Sequence, residues 1–187
     1  MEEHVDFKKL IERSLNLTLE NIVALILLTL LLLVTSFLSF GLLAAVASAG
    51  YVQSIILLVR EGREPRMQDI FSQIHLFLPL LGFSVVTAVA VFIGYALLVL
   101  PGIILAGLIT YACLYMLPLM TDKQMPLFDA AQESWRMTTT GSLTDNIIVF
   151  ILFIGVVTIG GSTLIGTLLT QPIATVFLAV IYEEKTR

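Results

Sequence analysis

The chain has 187 residues, of which 58% are hydrophobic and 13% charged, and its mean hydropathy is +0.99. That balance lies outside the range of soluble globular domains and leaves no room for a separate soluble domain beside the apolar segments. The net charge of -4 comes from mixed charges and gives no reason to expect a nucleic-acid partner, and the single cysteine, Cys113, excludes an intrachain disulfide.

Every charged residue falls in four short segments, and residues 21–59, 70–121 and 146–182 contain no Asp, Glu, Lys or Arg. These stretches are 39, 52 and 37 residues long. A helix crossing a hydrocarbon core of about 30 Å needs roughly 20 apolar residues, so each stretch is long enough for two crossings joined by a tight turn. The expected fold is an all-α membrane protein with six transmembrane helices near residues 21–39, 42–59, 77–98, 102–121, 145–160 and 163–182.

In chain order, the Met-Glu-Glu-His start has no basic region leading into an apolar core, so the first apolar helix is expected to act as an uncleaved anchor. Before it, Phe7, Leu10, Ile11, Ser14 and Leu15 recur at helical spacing opposite Lys8, Lys9, Glu12, Arg13 and Asn16. A second apolar stripe, Met67, Ile70, Phe71 and Ile74, precedes the middle stretch, and a third, Phe128, Ala131, Ser134, Trp135 and Thr138, precedes the last. Each predicts a short amphipathic helix lying at the headgroup boundary, and each is followed by a hydrophobic hairpin. The units start near Val5, Pro65 and Pro126, a period of about 60 residues that marks three parallel repeats, near 5–60, 65–121 and 126–182.

Boundary signals agree with this division. Pro126 fits the first turn of its helix, Ser142 and Asp145 have capping-box spacing, and Pro101-Gly102 interrupts the middle stretch near its centre. All ten Lys and Arg lie in the polar segments, at Lys8, Lys9, Arg13, Arg60, Arg63, Arg66, Lys123, Arg136, Lys185 and Arg187, while the opposite turns near 39–41, 100–102 and 160–162 carry none. The positive-inside bias then places both termini and both polar loops in the cytoplasm.

Residue chemistry points away from an enzyme. Apart from Asp145 at the edge of the fifth crossing, no Asp, Glu, Lys or Arg lies within a crossing, where it would mark a functional site. The two histidines, His4 and His75, have no zinc-ligand spacing around them, and no phosphate-binding glycine loop is present. No catalytic residue, cofactor or metal is expected. The candidate sites are therefore recognition sites. Arg66 and Arg136 are candidate contacts for a lipid headgroup if the bundle brings them together. Gln53, Ser54, Thr87, Tyr111 and Gln171 are candidate lining for an intramembrane groove, with helix-bridging polar contacts as the plainer role for Gln53 and Gln171. The small-residue runs 41–50 and 155–166 suit tight hairpin packing and admit contact with a protein partner or a second copy of the chain.

A resemblance adds to this reading. It is carried by Gly50-Tyr51-Val52, by Arg60-Glu61-Gly62-Arg63-Glu64-Pro65 with Asp69-Ile70-Phe71, by Leu100-Pro101-Gly102-Ile103-Ile104-Leu105, by Asp129-Ala130-Ala131-Gln132-Glu133-Ser134-Trp135-Arg136, and by Pro172 with Ile181-Tyr182. Together these resemble a group of prokaryotic multi-pass membrane proteins similar to the membrane domain that precedes the soluble domain of some glycerophosphoryl diester phosphodiesterases. The resemblance spans nearly the whole chain and implies a lipid-related module of the cytoplasmic membrane. It implies no phosphodiesterase activity, because the catalytic domain is not part of these residues. The expected function is a non-enzymatic scaffold or accessory module with membrane lipids as partners. The alternative is transport of a lipid or other amphiphile through an intramembrane groove.

Overall fold

The computed structural model describes residues 7–186 except Leu98, Gly141 and Ser162. His4, Val5, Ser162 and Arg187, named above, and the predicted edge at residue 98 lie outside the described residues. The chain forms α1 (Phe7–Glu20), α2 (Ile22–Leu38) and α3 (Ala44–Glu61), then two short 3-10 turns (Met67–Phe71 and Ile74–Leu76). There follow α4 (Phe77–Leu97), α5 (Val99–Ala112), α6 (Met116–Asp122), α7 (Leu127–Thr139), α8 (Leu143–Gly161) and α9 (Leu164–Thr186). Among the described residues there is no strand. Five helical segments are each long and apolar enough to cross a membrane, and α1 with α2, bent by 83°, supplies a sixth when taken as one broken span. This is the helix set of a multi-pass membrane protein.

Local chemistry sets the turns. α2 stops where Phe40 and Gly41 take left-handed backbone angles (φ 50 and 83) and the Gly41 N–H reaches back to the Ser36 carbonyl at 2.8 Å. α3 ends in the same way at Gly62 (φ 67), whose N–H bonds to the Leu58 carbonyl at 3.0 Å. The start of α8 has one half of the expected cap, with the Asp145 N–H donating to Ser142 Oγ at 3.3 Å. Pro101 follows the interruption of the middle stretch, which falls between α4 and α5, a few residues before its expected place. It lies in the first turn of α5, where a missing N–H costs nothing, and Gly102 behind it packs on Tyr95.

The three segments that precede the hairpins differ more than their sequence stripes suggest. α1 buries Leu10, Ser14 and Thr18, and α7 buries Ala130, Ser134 and Thr138. In α7 the inward face is thus the small, polar one, leaving Phe128 84% and Trp135 49% exposed. The cause is a break between α5 and α6. There Ser134 Oγ donates to the Ala112 carbonyl (2.7 Å) and accepts from the Tyr115 N–H (3.1 Å), satisfying backbone groups that the break sets free. The middle segment is not an α-helix. Asp69 folds back to accept the Arg66 N–H at 3.1 Å, and the Asp69 and Ile70 carbonyls press on α3 at Gly50, where a side chain would collide with them. Of its stripe, Ile70 is buried, and Met67, Phe71 and Ile74 are exposed.

Packing divides the helices into an inner and an outer set. α3 contacts both α6 and α9, and these three hold most of the core, including Ile55, Leu119, Met120 and Val180, none with exposed surface. The α4 window is only 11% buried and the α8 window 22%, against 61% for α3. The turn at Met67–Phe71 packs on α3, α7 packs on α6, and α1 packs on α9.

Candidate functional site

Two features dominate the inner triplet, a charged knot at one end and a cavity about 14 Å from it, at 1.5 Å of rise per residue along α3 from Arg60 to Tyr51.

The knot joins the ends of α3, α6 and α9. Arg60 donates to Asp122 through Nη1 (2.6 Å) and Nη2 (2.8 Å), and its Nε donates to Glu183 Oε2 at 3.0 Å. The Tyr182 hydroxyl adds a hydrogen bond to Asp122 Oδ2 at 3.1 Å. The Asp122 and Glu183 side chains are each 10% exposed and that of Arg60 37%. A planar guanidinium suits this geometry because it can face one carboxylate with two parallel N–H groups and offer a third elsewhere. Beside the knot, Arg13 reaches the Val59 carbonyl at 3.3 Å, so α1 is tied to the same end of α3.

The cavity, about 330 Å³, lies between the hairpins. Its polar lining is Ser48, Tyr51, Thr110, Cys113, Gln171 and Thr175, and Phe83 and Phe153 form part of its apolar wall. The Tyr51 hydroxyl shares a hydrogen bond with Thr29 Oγ1 at 3.0 Å, while Thr110 and Thr175 spend their hydroxyls on helix carbonyls. Between the cavity and the knot stands the fully buried layer of Ile55, Leu119, Met120 and Val180. A smaller groove of about 180 Å³, lined almost wholly by apolar residues, lies between α1 and the α8–α9 hairpin.

Of the residues expected to line a groove, Gln171 borders this cavity. Ser54 instead donates to Asp69 Oδ2 at 2.6 Å, an oxygen that also accepts from Arg63 at 2.6 Å. Tyr111 donates to the Thr138 carbonyl at 2.7 Å and sets its ring edge-on to Phe150 at 5.3 Å. Gln53 is half-buried on α3, with its Oε1 unpartnered among the described residues, and Thr87 is half-buried on α4. The two candidate headgroup arginines occupy different surroundings. Arg66 is exposed beside the turn that packs on α3. Arg136 lies on α7, which packs on α5, α6 and α8, and its guanidinium forms two bonds to Glu133 at 2.8 and 2.6 Å, holding the Glu133 carboxyl below the usual carboxylate range. His75 is exposed and meets Gln124 at 3.1 Å.

The cavity's Ser48, Tyr51, Thr110, Cys113 and Thr175 carry no distinct signal in the sequence, where they look like ordinary interruptions of apolar runs. For the knot a signal was present, since Arg60, Asp122 and Glu183 are each the first charged residue after a charge-free stretch. Comparison of the chain with family models, with curated proteins and with solved structures finds no match.

Proposed function

We propose that the chain is a non-enzymatic scaffold or accessory module of a prokaryotic cytoplasmic membrane, built from three units and tied to lipid rather than to a reaction. The observation that carries this reading is the closed inner half. There α3, α6 and α9 meet around a layer without exposed surface and are clasped at their ends by Arg60, Asp122 and Glu183. A solid core of this kind supports a structural role better than a conduit.

The repeat is part of the proposal. Leu10, Ile70 and Ala130 are spaced at intervals of 60 and all three are buried. Each interfacial segment packs on the closing helix of another unit, Met67–Phe71 on α3, α7 on α6 and α1 on α9, which is the pattern of a ring of three. Orientation follows from the cations. Arg60, Arg63, Arg66, Lys123, Arg136 and Lys185 all belong to the knot end, which the positive-inside bias assigns to the cytoplasm, together with both termini. The exposed Phe128 and Trp135 of α7 suit the headgroup layer, where large amphipathic rings are favoured, and Arg66 and Arg136 would meet lipid phosphates there. The resemblance to the membrane domain of glycerophosphoryl diester phosphodiesterases is consistent with this lipid-related role.

A second reading, transport of an amphiphile, draws on the cavity and Gln171. It requires the buried layer to part during each cycle. The two readings separate in liposomes carrying fluorescent phospholipid in both leaflets, with dithionite added outside. The scaffold leaves the protected inner-leaflet fraction unchanged on reconstitution, whereas loss of that protection in intact vesicles would replace it with the transport reading.

A further inference from the structure

We infer that the cavity between the hairpins is a binding site for an uncharged amphiphile whose head carries hydroxyl and carbonyl groups. This inference stands on the cavity and not on the scaffold reading.

The lining sets the chemistry. Among the described residues no Asp, Glu, Lys, Arg or His borders the cavity, so an ionised phosphate or carboxylate there would lose its water and gain no counter-charge, which is strongly unfavourable. Hydrogen-bonding capacity is nevertheless available. Among the described residues the Gln171 amide and the Ser48 hydroxyl have no protein hydrogen bond, and the Tyr51 hydroxyl, whose neighbours Thr29 and Thr175 both donate to backbone carbonyls, keeps acceptor capacity. Gln171 offers both a donor and an acceptor, which fits a head containing a hydroxyl beside an ester or amide carbonyl.

The shape sets the rest. About 330 Å³ holds a polar head and the first part of its chains, within the range of small-molecule pockets. α5 packs on α4 and α7, and α8 packs on α9 and α7. Their seam is pinned at its base by Tyr111 against Phe150. Beyond that pair Thr110 is exposed at the cavity's edge, so the seam is the side opening through which acyl chains pass into the bilayer. The layer of Ile55 and Leu119 closes the way toward the knot.

Cys113 lines the cavity and is the chain's one cysteine, so it reports occupancy without any substitution. The test measures its alkylation by N-ethylmaleimide in phosphatidylcholine nanodiscs, with added dioleoylglycerol or dioleoylphosphatidic acid. Dioleoylglycerol at about four times its Kd slows alkylation about fivefold, following 1 + [L]/Kd, and dioleoylphosphatidic acid leaves the rate unchanged. Gln171→Leu removes the protection while Cys113 stays reactive, and Ser48→Ala, which deletes one oxygen, weakens it if the first variant does not fold. Absence of protection by dioleoylglycerol, or a Cys113 that does not react without ligand, would overturn the site. Equal protection by dioleoylphosphatidic acid would overturn its assignment to an uncharged head. Any of these results leaves the scaffold reading standing, because that reading is decided by lipid scrambling.

Discussion

Arg60 and Asp122 lie 62 positions apart in sequence and meet through two parallel hydrogen bonds, which fasten the end of α3 to the end of α6. The same guanidinium holds Glu183 on α9, so one side chain links the three helices that form the core. Arg60→Ala leaves two mostly buried carboxylates side by side without the cation that bridges them, and only Lys123 near Asp122. The expected loss of stability is about 2–3 kcal/mol, below the 3–5 kcal/mol of a fully buried pair because Arg60 is partly exposed. Arg60→Lys recovers only part of it, since an ammonium cannot make the fork contact. Thermal unfolding in detergent checks both, and an Arg60→Ala variant as stable as the parent would contradict the knot's role.

Glycines give a paired prediction. A methyl group at Gly50 would lie 2.6 Å from the Ile70 carbonyl carbon and closer still to its oxygen, whereas one at Gly82 meets nothing within 4 Å. Gly50→Ala therefore separates α3 from the Met67–Phe71 turn and costs about 1–3 kcal/mol as an overpacked site. Gly82→Ala, inside α4 beyond its first turn, is neutral or stabilising by up to about 1 kcal/mol through helix propensity. Equal effects of the two in the same unfolding assay would speak against the close approach.

Asp69 collects the Ser54 hydroxyl, the Arg63 guanidinium and the Arg66 N–H on one carboxylate oxygen. Asp69→Ala strands a buried hydroxyl and a partly buried cation and is expected to cost about 2–4 kcal/mol, more than Ser54→Ala at about 1 kcal/mol. The double variant should lose less than the sum, because the two residues share one interaction. Strict additivity in a double-mutant cycle would contradict a direct contact.

At the base of the side opening, Tyr111→Phe removes the bond to the Thr138 carbonyl and keeps the ring against Phe150. The expected cost is about 1 kcal/mol. Tyr111→Ala loses the ring as well, widens the opening, and should speed Cys113 alkylation relative to Tyr111→Phe. An unchanged rate would mean that this ring does not bound the cavity.

How far the sequence carries can be traced through particular residues. The charge-free stretches locate the crossings because a charged group inside hydrocarbon is costly wherever it lies in the chain, and α3, α4, α8 and α9 fall close to their expected positions. The same distribution marks Arg60, Asp122 and Glu183 as residues at helix ends. It does not show that they touch, since that depends on which helices form the inner set. Hydrophobic periodicity groups Phe128 and Trp135 with Ser134 and Thr138 in one stripe of α7, whereas the structure buries Ser134 and Thr138 and leaves the two aromatic residues exposed. Near a membrane an apolar side chain has two favourable destinations, core or lipid, and periodicity cannot separate them. The inward face belongs to Ser134, which answers a break 19 residues away in the chain at Tyr115. The polar lining of the cavity was equally hidden, because Ser48, Tyr51 and Thr175 resemble the helix-bridging hydroxyls found throughout such bundles.

Side-specific labelling tests the six-crossing architecture most directly. In a Cys113→Ser background, single cysteines at Phe40 and Thr163 report the turns opposite the knot, and those at Gln68 and Gln132 report the two polar segments. All four positions are exposed. With a membrane-impermeant maleimide on sealed right-side-out vesicles, Phe40→Cys and Thr163→Cys should label at once, and Gln68→Cys and Gln132→Cys only after permeabilisation. If Gln68→Cys and Gln132→Cys labelled from opposite sides, the chain between them would cross an odd number of times, and the three-hairpin architecture would be wrong.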